Sequence, residues 1–168
     1  MIPERLALLE LADYVVTPAE LPAAFTSGAA AAAADGTVAE LGTPKTAEAV
    51  TSGLIALLQA HAPRAQWGVT TLGAEGCVAV VRPADSREQW EVISVPAIAV
   101  SAVEMVDTTG AGDAFIGGLA VGLVRGLGLQ AALAQACWVG GHSVSGRGAR
   151  GGLPTAAMLA RRLLVAGD

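Results

Sequence analysis

The sequence predicts an α/β fold in which helices flank a largely parallel sheet. Three observations support it: short β-type segments alternate with helical ones, a glycine-punctuated hairpin follows, and helices finish the chain. The length of 168 residues favours one domain. Because 53% of the residues are apolar and only 4% are aromatic, the core must be built from Ala, Val and Leu.

The first part of the chain carries the alternating elements. Leucines at helical spacing predict a helix over 3–12, and Thr17-Pro18 is typical of a helix cap followed by the first helical residue. In chain order we predict a helix over 3–12, a strand over 13–16, a helix from 18 to 25, a helix end and loop over 27–42, and a helix over 43–62.

The second part begins with a hairpin and ends in helices. Glycines at 73 and 76 separate two β-type runs, which is the punctuation of a hairpin. We predict strands over 67–72, 77–82 and 90–95, an extended segment over 100–106, and helices over 110–126, 129–145 and 154–165, with a glycine-rich loop over 146–152. The glycine pairs at 117–118 and 140–141 predict close approach between helices.

Composition excludes several functional classes. The net charge of −5 disfavours a nucleic-acid partner, and the single lysine, Lys45, belongs to no P-loop motif. Cys77 and Cys137 form no C-x-x-C pair, so we expect a reducing, cytoplasmic compartment. The longest apolar run, residues 114–124, is about half the ~20 residues that a membrane span needs, so we expect no membrane partner.

The segment from Val106 to Phe115 carries the chemistry. A strand-like run leads to Gly110 and Gly112, where a helix begins, and the N–H groups of a first helical turn have no partner within the helix. Glycines let an anion approach those groups closely. A carboxylate would repel a phosphate held there, so Asp113 suggests a general base that takes a proton from an attacking hydroxyl. The alternative is that Asp113 only complements the helix dipole.

A dinucleotide-binding loop is the competing interpretation of the same glycines. Gly110 and Gly112 fit its first two positions, but Phe115 stands where the third glycine belongs. No acidic residue closes a following strand about 20 residues later, so the pattern is weak evidence for NAD.

The run Asp107-Thr-Thr-Gly-Ala-Gly-Asp113-Ala-Phe, followed by Gly117-Gly118, resembles the C-terminal signature of the ribokinase-like (PfkB) carbohydrate kinases. Residues 69–76 are similar to the family's nucleotide-contacting T-L-G-x-x-G turn, and residues 148–154 are similar to its closing loop. The resemblance implies a layered ribokinase-like fold and ATP-dependent phosphorylation of a hydroxyl on a sugar or sugar-like substrate.

The resemblance also implies a role for each site residue. Asp113 would be the catalytic base, and the N–H groups of Gly110, Ala111 and Gly112 would form the anion hole for the γ-phosphate. The residues implied to contact ATP are Thr71, Gly73, Gly76, Gly110, Gly112 and Cys137, although Cys137 fits a core position equally well. The residues implied to hold cations are Asp107, Thr109, Ser143, Gly146 and Gly148 for a monovalent cation such as K⁺, and Glu20 for the Mg²⁺ that accompanies ATP.

Three departures from the family pattern shape the expectation. Thr17 replaces the Asn of the N-x-x-E motif that ends at Glu20, and Gly152 offers no hydroxyl to a cation, which leaves K⁺ dependence open. The family fold is also much longer than this chain. We therefore expect residues 1–168 to be the C-terminal, nucleotide-binding part of the fold, without the sugar-binding half and lid. The alternative function is a catalytically incomplete nucleotide-binding fragment or interaction subunit, and an exposed apolar sheet edge would favour a homo-oligomer.

Overall fold

The computed structural model describes residues 7–26, 47–83, 89–101 and 104–165. The chain divides into two compact units, Met1–Ser94 and Val95–Asp168. The predicted loop over 27–42 and the predicted helix starts at 3 and 43 lie outside the described residues.

The first unit contains a four-stranded sheet. Its elements in chain order are β1 (Tyr14–Pro18), α1 (Glu20–Thr26), α2 (Ala47–His61), β2 (Trp67–Thr71), a 3₁₀ turn (Gly73–Glu75), β3 (Cys77–Val81) and β4 (Glu91–Val95), with residues 7–9 also helical. The strands lie in the order β1-β2-β3-β4. β1 runs parallel to β2, with Tyr14 opposite Trp67, and β2 runs antiparallel to β3, with Thr71 opposite Cys77. The predicted hairpin is therefore confirmed.

Helix α2 supplies the core of the first unit. Leu54, Leu57 and Leu58 are fully buried and recur on one helical face, as the sequence spacing predicts. They pack in one cluster with Val15 of β1 and Val80 of β3. The burial of these side chains therefore holds α2 against β1 and β3.

The predicted helix start at Pro18 is wrong. Pro18 is the last residue of β1 and lies opposite Thr71 of β2, so the helix begins only at Glu20. Thr17 is 5% exposed, and its Oγ1 donates to Thr70 Oγ1 at 3.5 Å. Pairing with β2 therefore replaces the capping role that the local sequence suggests.

The predicted extended segment over 100–106 is wrong at Glu104, which lies in a turn. Ser101 and Glu104 form a turn, because the Glu104 N–H donates to Ser101 O at 3.0 Å. The Glu104 carboxylate accepts the hydroxyl of Ser101 at 2.7 Å and its N–H at 3.2 Å. These bonds, the hydroxyl bond first, lower the pKa of Glu104 below its ordinary 4.5. A side chain that accepts a hydrogen bond from a nearby backbone N–H competes with strand formation.

The second unit is helical. Its elements are α3 (Ala111–Val124), α4 (Leu129–Ser143), the short α5 (Gly148–Gly151) and α6 (Ala156–Val165). Thr155 precedes α6, and its Oγ1 accepts the Met158 N–H at 3.3 Å, so it caps this helix. The predicted glycine-rich loop over 146–152 contains one helical turn, which is α5.

Helices α3 and α4 pack closely through glycine. A Cβ on Gly118 would lie 3.0 Å from Val139 Cβ and 3.1 Å from Ala136 Cα, so any side chain here would require the facing residues of α4 to shift. Gly140 of α4 lies similarly close to the start of α3, because a Cβ on Gly140 would lie 3.2 Å from the Ala111 carbonyl oxygen. The predicted close approach is confirmed for these two glycines. Gly117, in contrast, has no atom within 4 Å of its Cβ position.

Candidate active site

The site in the second unit is organised by the carboxylate of Asp107. Oδ1 accepts the Thr109 N–H at 2.9 Å, and Oδ2 accepts the Gly148 N–H at 2.8 Å. The hydrogen bond from the Thr109 side chain, then those from the Thr109 and Gly148 backbones, lower the pKa of Asp107 from 3.8 to about 2, with a smaller contribution from the charge of Arg147. Asp107 is therefore an ionised acceptor at neutral pH that links the segment before α3 to the start of α5.

Two further contacts fix the segment around Asp107. The N–H groups of Val106 and Asp107 both donate to Val144 O, at 2.8 and 3.1 Å. Because Val144 directly follows α4, the approach to α3 is attached to the end of α4. The turn before α3 is thus held by backbone contacts on both sides.

Gly110 makes the turn that begins α3. It has φ +78° and ψ 5°, a left-handed conformation that glycine adopts without steric cost. A Cβ there would lie 2.8 Å from Ala149 Cβ. Both the turn and the contact with α5 therefore require glycine at this position.

Backbone N–H groups at the start of α3 remain available to an anion. The Ala111 N–H donates to Thr108 O at 3.2 Å, and the first helical bond runs from Ala114 N–H to Gly110 O at 2.9 Å. Within the described part of the chain, no backbone carbonyl accepts the N–H groups of Gly110, Gly112 and Asp113. The Cβ position of Gly112 has no atom within 4 Å, so a ligand can approach closely. Of the three predicted donors, Gly110 and Gly112 remain available, whereas Ala111 is engaged.

Asp113 lies in the first turn of α3 and is exposed. Its position one residue after Gly112 places a carboxylate beside the available N–H groups. A phosphoryl group bound to those N–H groups would then lie beside Asp113, which could accept the proton of an attacking hydroxyl. Phosphoryl transfer to an alcohol requires this arrangement.

The loop between α4 and α6 closes against the same site. His142 Nδ1 lies 2.9 Å from Gly152 O, and its ring lies 5.3 Å from that of Trp138. A Cβ on Gly152 would collide with Ser143 O and would lie 2.7 Å from the Gly146 nitrogen. The tight folding of this loop is not among the sequence-based predictions. The glycines at 146, 151 and 152 indicate it, since backbone can approach backbone this closely only without side chains.

The predicted monovalent-cation residues lie close together, but the side chains of Asp107 and Ser143 already form hydrogen bonds within the protein. Both Asp107 oxygens accept N–H groups, and Ser143 Oγ donates to Gly140 O at 2.7 Å. A cation here would therefore depend mainly on the carbonyl oxygens of Thr109, Gly146 and neighbouring residues. The described residues contain no cluster of three or more His, Cys, Asp or Glu side chains suited to a metal ion.

Apart from Cys137, the remaining predicted nucleotide and magnesium residues belong to the first unit. Thr71 ends β2, and Gly73 and Gly76 enclose the 3₁₀ turn with φ +58° and +101°. The turn is closed by the Leu72 N–H, which donates to Gly76 O at 2.7 Å. Glu20 is the first residue of α1. The structure therefore forms the predicted turn between two paired strands.

Cys137 occupies a buried position in α4. It is 5% exposed, and its Sγ lies 3.9 Å from Val95 O. This burial agrees with the core alternative for Cys137, because a nucleotide could reach the thiol only if its surroundings moved.

A cavity of about 490 Å³ begins at the start of α3. Gly110 and Asp113 line it at the start of α3, and Gly117 and Val121 line it further along the helix. The remaining lining residues are Ala114, Gly118, Val139, Ala149, Arg150, Leu153, Pro154, Thr155, Ala156 and Leu159. The lining is therefore mainly apolar, with Asp113, Arg150 and Thr155 as its charged or hydroxyl-bearing side chains.

Comparison with known proteins places the chain in a family. The family model described as pfkB family carbohydrate kinase matches residues 14–156. Ribokinase from Bacillus subtilis (strain 168) is 51% identical over 53 residues, which are 32% of this chain and 18% of that protein.

Solved structures share the fold. Ribokinase from Thermotoga maritima superimposes with a TM-score of 0.62 and 20% identity, covering 94% of this chain and 44% of its own. Aminoimidazole riboside kinase from Salmonella enterica, solved with aminoimidazole riboside and an ATP analogue, gives a TM-score of 0.63 and 27% identity, covering 96% of this chain and 46% of its own. The chain thus spans less than half the length of these relatives. Since the family model matches most of its residues, the chain belongs to the pfkB family of carbohydrate kinases.

Proposed function

We propose that this chain supplies the phosphoryl-transfer end of an ATP-dependent kinase that acts on a hydroxyl group of a sugar or nucleoside. Family membership supports the reaction class. The observation that carries the proposal is the pair of available N–H groups at Gly110 and Gly112 directly beside the Asp113 carboxylate.

The two glycine N–H groups hold the γ-phosphoryl group of ATP. They lie at the positive end of the α3 dipole, and the open space at Gly112 admits a phosphoryl oxygen. Fixed donors of this kind stabilise the charge on the transferring group without reorganisation during the reaction. A Mg²⁺ ion that arrives with ATP would neutralise further negative charge on the transferring group.

Asp113 accepts the proton of the substrate hydroxyl. As the proton moves to the carboxylate, the hydroxyl oxygen forms a bond to the γ-phosphorus and the bond from that phosphorus to ADP breaks. General-base catalysis by a positioned side chain contributes roughly 10²–10⁴-fold to the rate. The cation residues around Asp107 hold the turn in place, and a monovalent cation, if bound, would rest mainly on carbonyl oxygens.

Asp113→Asn tests this assignment. The variant should bind ATP at least as tightly by calorimetry, since the amide preserves the shape and removes a negative charge, and its turnover on a panel of sugars and nucleosides should fall by roughly 10²–10⁴-fold. Glu91→Gln is the matched control, because Glu91 is an exposed carboxylate on β4 and belongs to none of the predicted site residues. Equal turnover in Asp113→Asn and the unsubstituted protein would remove Asp113 from the mechanism.

The second candidate function is a nucleotide-binding segment without turnover of its own. The observation that favours it is the coverage, since the chain matches only 44–46% of the two kinases described above. ATP binding with no phosphorylation of any panel substrate would favour this candidate over the first.

A further inference from the structure

Helix α3 is apolar on two opposite faces. Between Asp113 and Arg125 it carries no charged residue. One face is buried within the second unit through Ala114, Phe115, Gly118, Leu119 and Gly122. The opposite face is exposed and consists of Ile116, Gly117, Ala120, Val121 and Val124, here called the outer stripe.

The outer stripe is unusual for a surface that meets water. Ile116 is 47% exposed, Val121 is 41% exposed and Val124 is 88% exposed. A surface helix normally places charged and polar residues opposite its buried face, whereas a helix that is apolar all round is typical of one covered on all sides. The sequence of α3 is therefore that of an internal helix.

The cavity beside the outer stripe has matching chemistry. Gly117 and Val121 form one wall, and Leu153 and Leu159 lie on the other side. Asp113, Arg150 and Thr155 are the charged or hydroxyl-bearing side chains of the lining, so a ligand seated between Val121 and Leu159 would gain few hydrogen bonds for those it loses to water. Apolar side chains from another polypeptide segment would suit this lining, because their burial removes apolar surface from water on both sides.

The solved relatives indicate which polypeptide covers the stripe. The Salmonella kinase matches 96% of this chain, yet this match accounts for only 46% of its own length. More than half of that fold consequently has no counterpart in the 168 residues. We propose that the outer stripe is the surface on which the remaining part of a ribokinase-type fold packs, presenting an apolar face to α3. This proposal does not depend on the phosphoryl-transfer reaction.

Thiol labelling tests the occupant. Val121→Cys places a reactive thiol on the outer stripe, and Ala134→Cys places one on an exposed position of α4 as the matched control. The native Cys77 and Cys137 are 1% and 5% exposed, so they give a slow background. The probe is a hybrid protein in which this chain replaces the matched part of the Salmonella kinase.

In the isolated chain, a maleimide should label positions 121 and 134 at similar rates. In the hybrid, labelling at position 121 should slow by roughly tenfold or more, because burial makes a thiol inert, while position 134 stays reactive. Equal reactivity at position 121 in both proteins would overturn the proposal. Protection in the isolated chain that rises with protein concentration would also overturn it, since a second copy would then be the occupant.

A charge substitution keeps the proposal testable by a second measurement. Val121→Glu should leave the melting temperature of the isolated chain nearly unchanged, because the side chain is exposed there. The same substitution should prevent the hybrid from folding, whereas Ala134→Glu should be tolerated in both proteins. A hybrid that folds equally well with Val121→Glu would count against this occupant. So would a hybrid that fails to fold when Val121 is unchanged.

Discussion

Asp107 Oδ2 accepts the N–H of Gly148 at 2.8 Å, which joins residues 41 positions apart in the chain. Its other oxygen accepts the Thr109 N–H, so one carboxylate sets both the turn before α3 and the start of α5. The glycine N–H groups proposed to bind the γ-phosphoryl group lie directly after this turn. Their position therefore depends on a side chain that need not touch the substrate.

Asp107→Asn should loosen this link. An amide can accept one of the two N–H groups, but its NH₂ group faces the other donor without bonding to it. We expect a lower melting temperature and faster hydrogen exchange at the amides of Thr109 and Gly148. Asp113→Asn is the control, since none of the described hydrogen bonds involves the Asp113 side chain. Unchanged exchange at both amides would show that the link does not hold the turn.

The Asp107 link should also respond to acid. The folded-state pKa of Asp107, about 2, lies below its ordinary 3.8. Its contribution to stability is therefore complete above the ordinary value and is lost as the pH falls towards 2. The difference in melting temperature between the unsubstituted protein and Asp107→Asn should shrink over that interval. A carbon-detected NMR titration with the Asp107 midpoint at or above 3.8 would contradict the assignment.

Two neighbouring glycines at the start of α3 should behave differently when replaced. Gly110→Ala should destabilise the protein, since a left-handed non-glycine residue costs roughly 1–2 kcal/mol and the added Cβ meets Ala149. Gly112→Ala should leave stability nearly unchanged, because its Cβ position is open, yet weaken ATP binding by obstructing the N–H groups. Thermal unfolding and calorimetry separate the two effects. Equal affinity for ATP in Gly112→Ala would argue against binding at this turn.

The adjacent pair Gly117 and Gly118 tests the packing of α3 on α4. Gly118→Leu should destabilise the second unit by about 1–3 kcal/mol, because Val139 and Ala136 leave no room for a side chain. Gly117→Ala should stabilise the isolated chain by up to about 1 kcal/mol through helix propensity, since nothing lies within 4 Å of its Cβ position. Denaturant unfolding of both variants measures the difference, and equal effects would contradict this packing.

Local signals in the sequence predicted the elements that depend on local chemistry. The glycine-punctuated turn at Gly73–Gly76 and the start of α3 at Gly110 both follow from residues that tolerate left-handed backbone. Pro18 was misplaced because its strand is determined by pairing with Thr71, 53 residues away in the chain. No local pattern contains that information.

The site was predictable to a similar extent. The glycines beside Asp113 are visible in the sequence, but the Val144 carbonyl that holds Val106 and Asp107 is a backbone group without a sequence signature. The engagement of Ala111 with Thr108 is likewise a property of the folded turn. No described helix combines the length and apolar character needed to cross a membrane.

The most direct test of the central claim is an amide NMR titration that compares Mg-ATP with Mg-ADP. If Gly110 and Gly112 hold the γ-phosphoryl group, their N–H resonances should move strongly with ATP and much less with ADP, which lacks that group. Equal shifts of Gly110 and Gly112 with ATP and ADP, or shifts confined to the Gly73–Gly76 turn, would contradict the account.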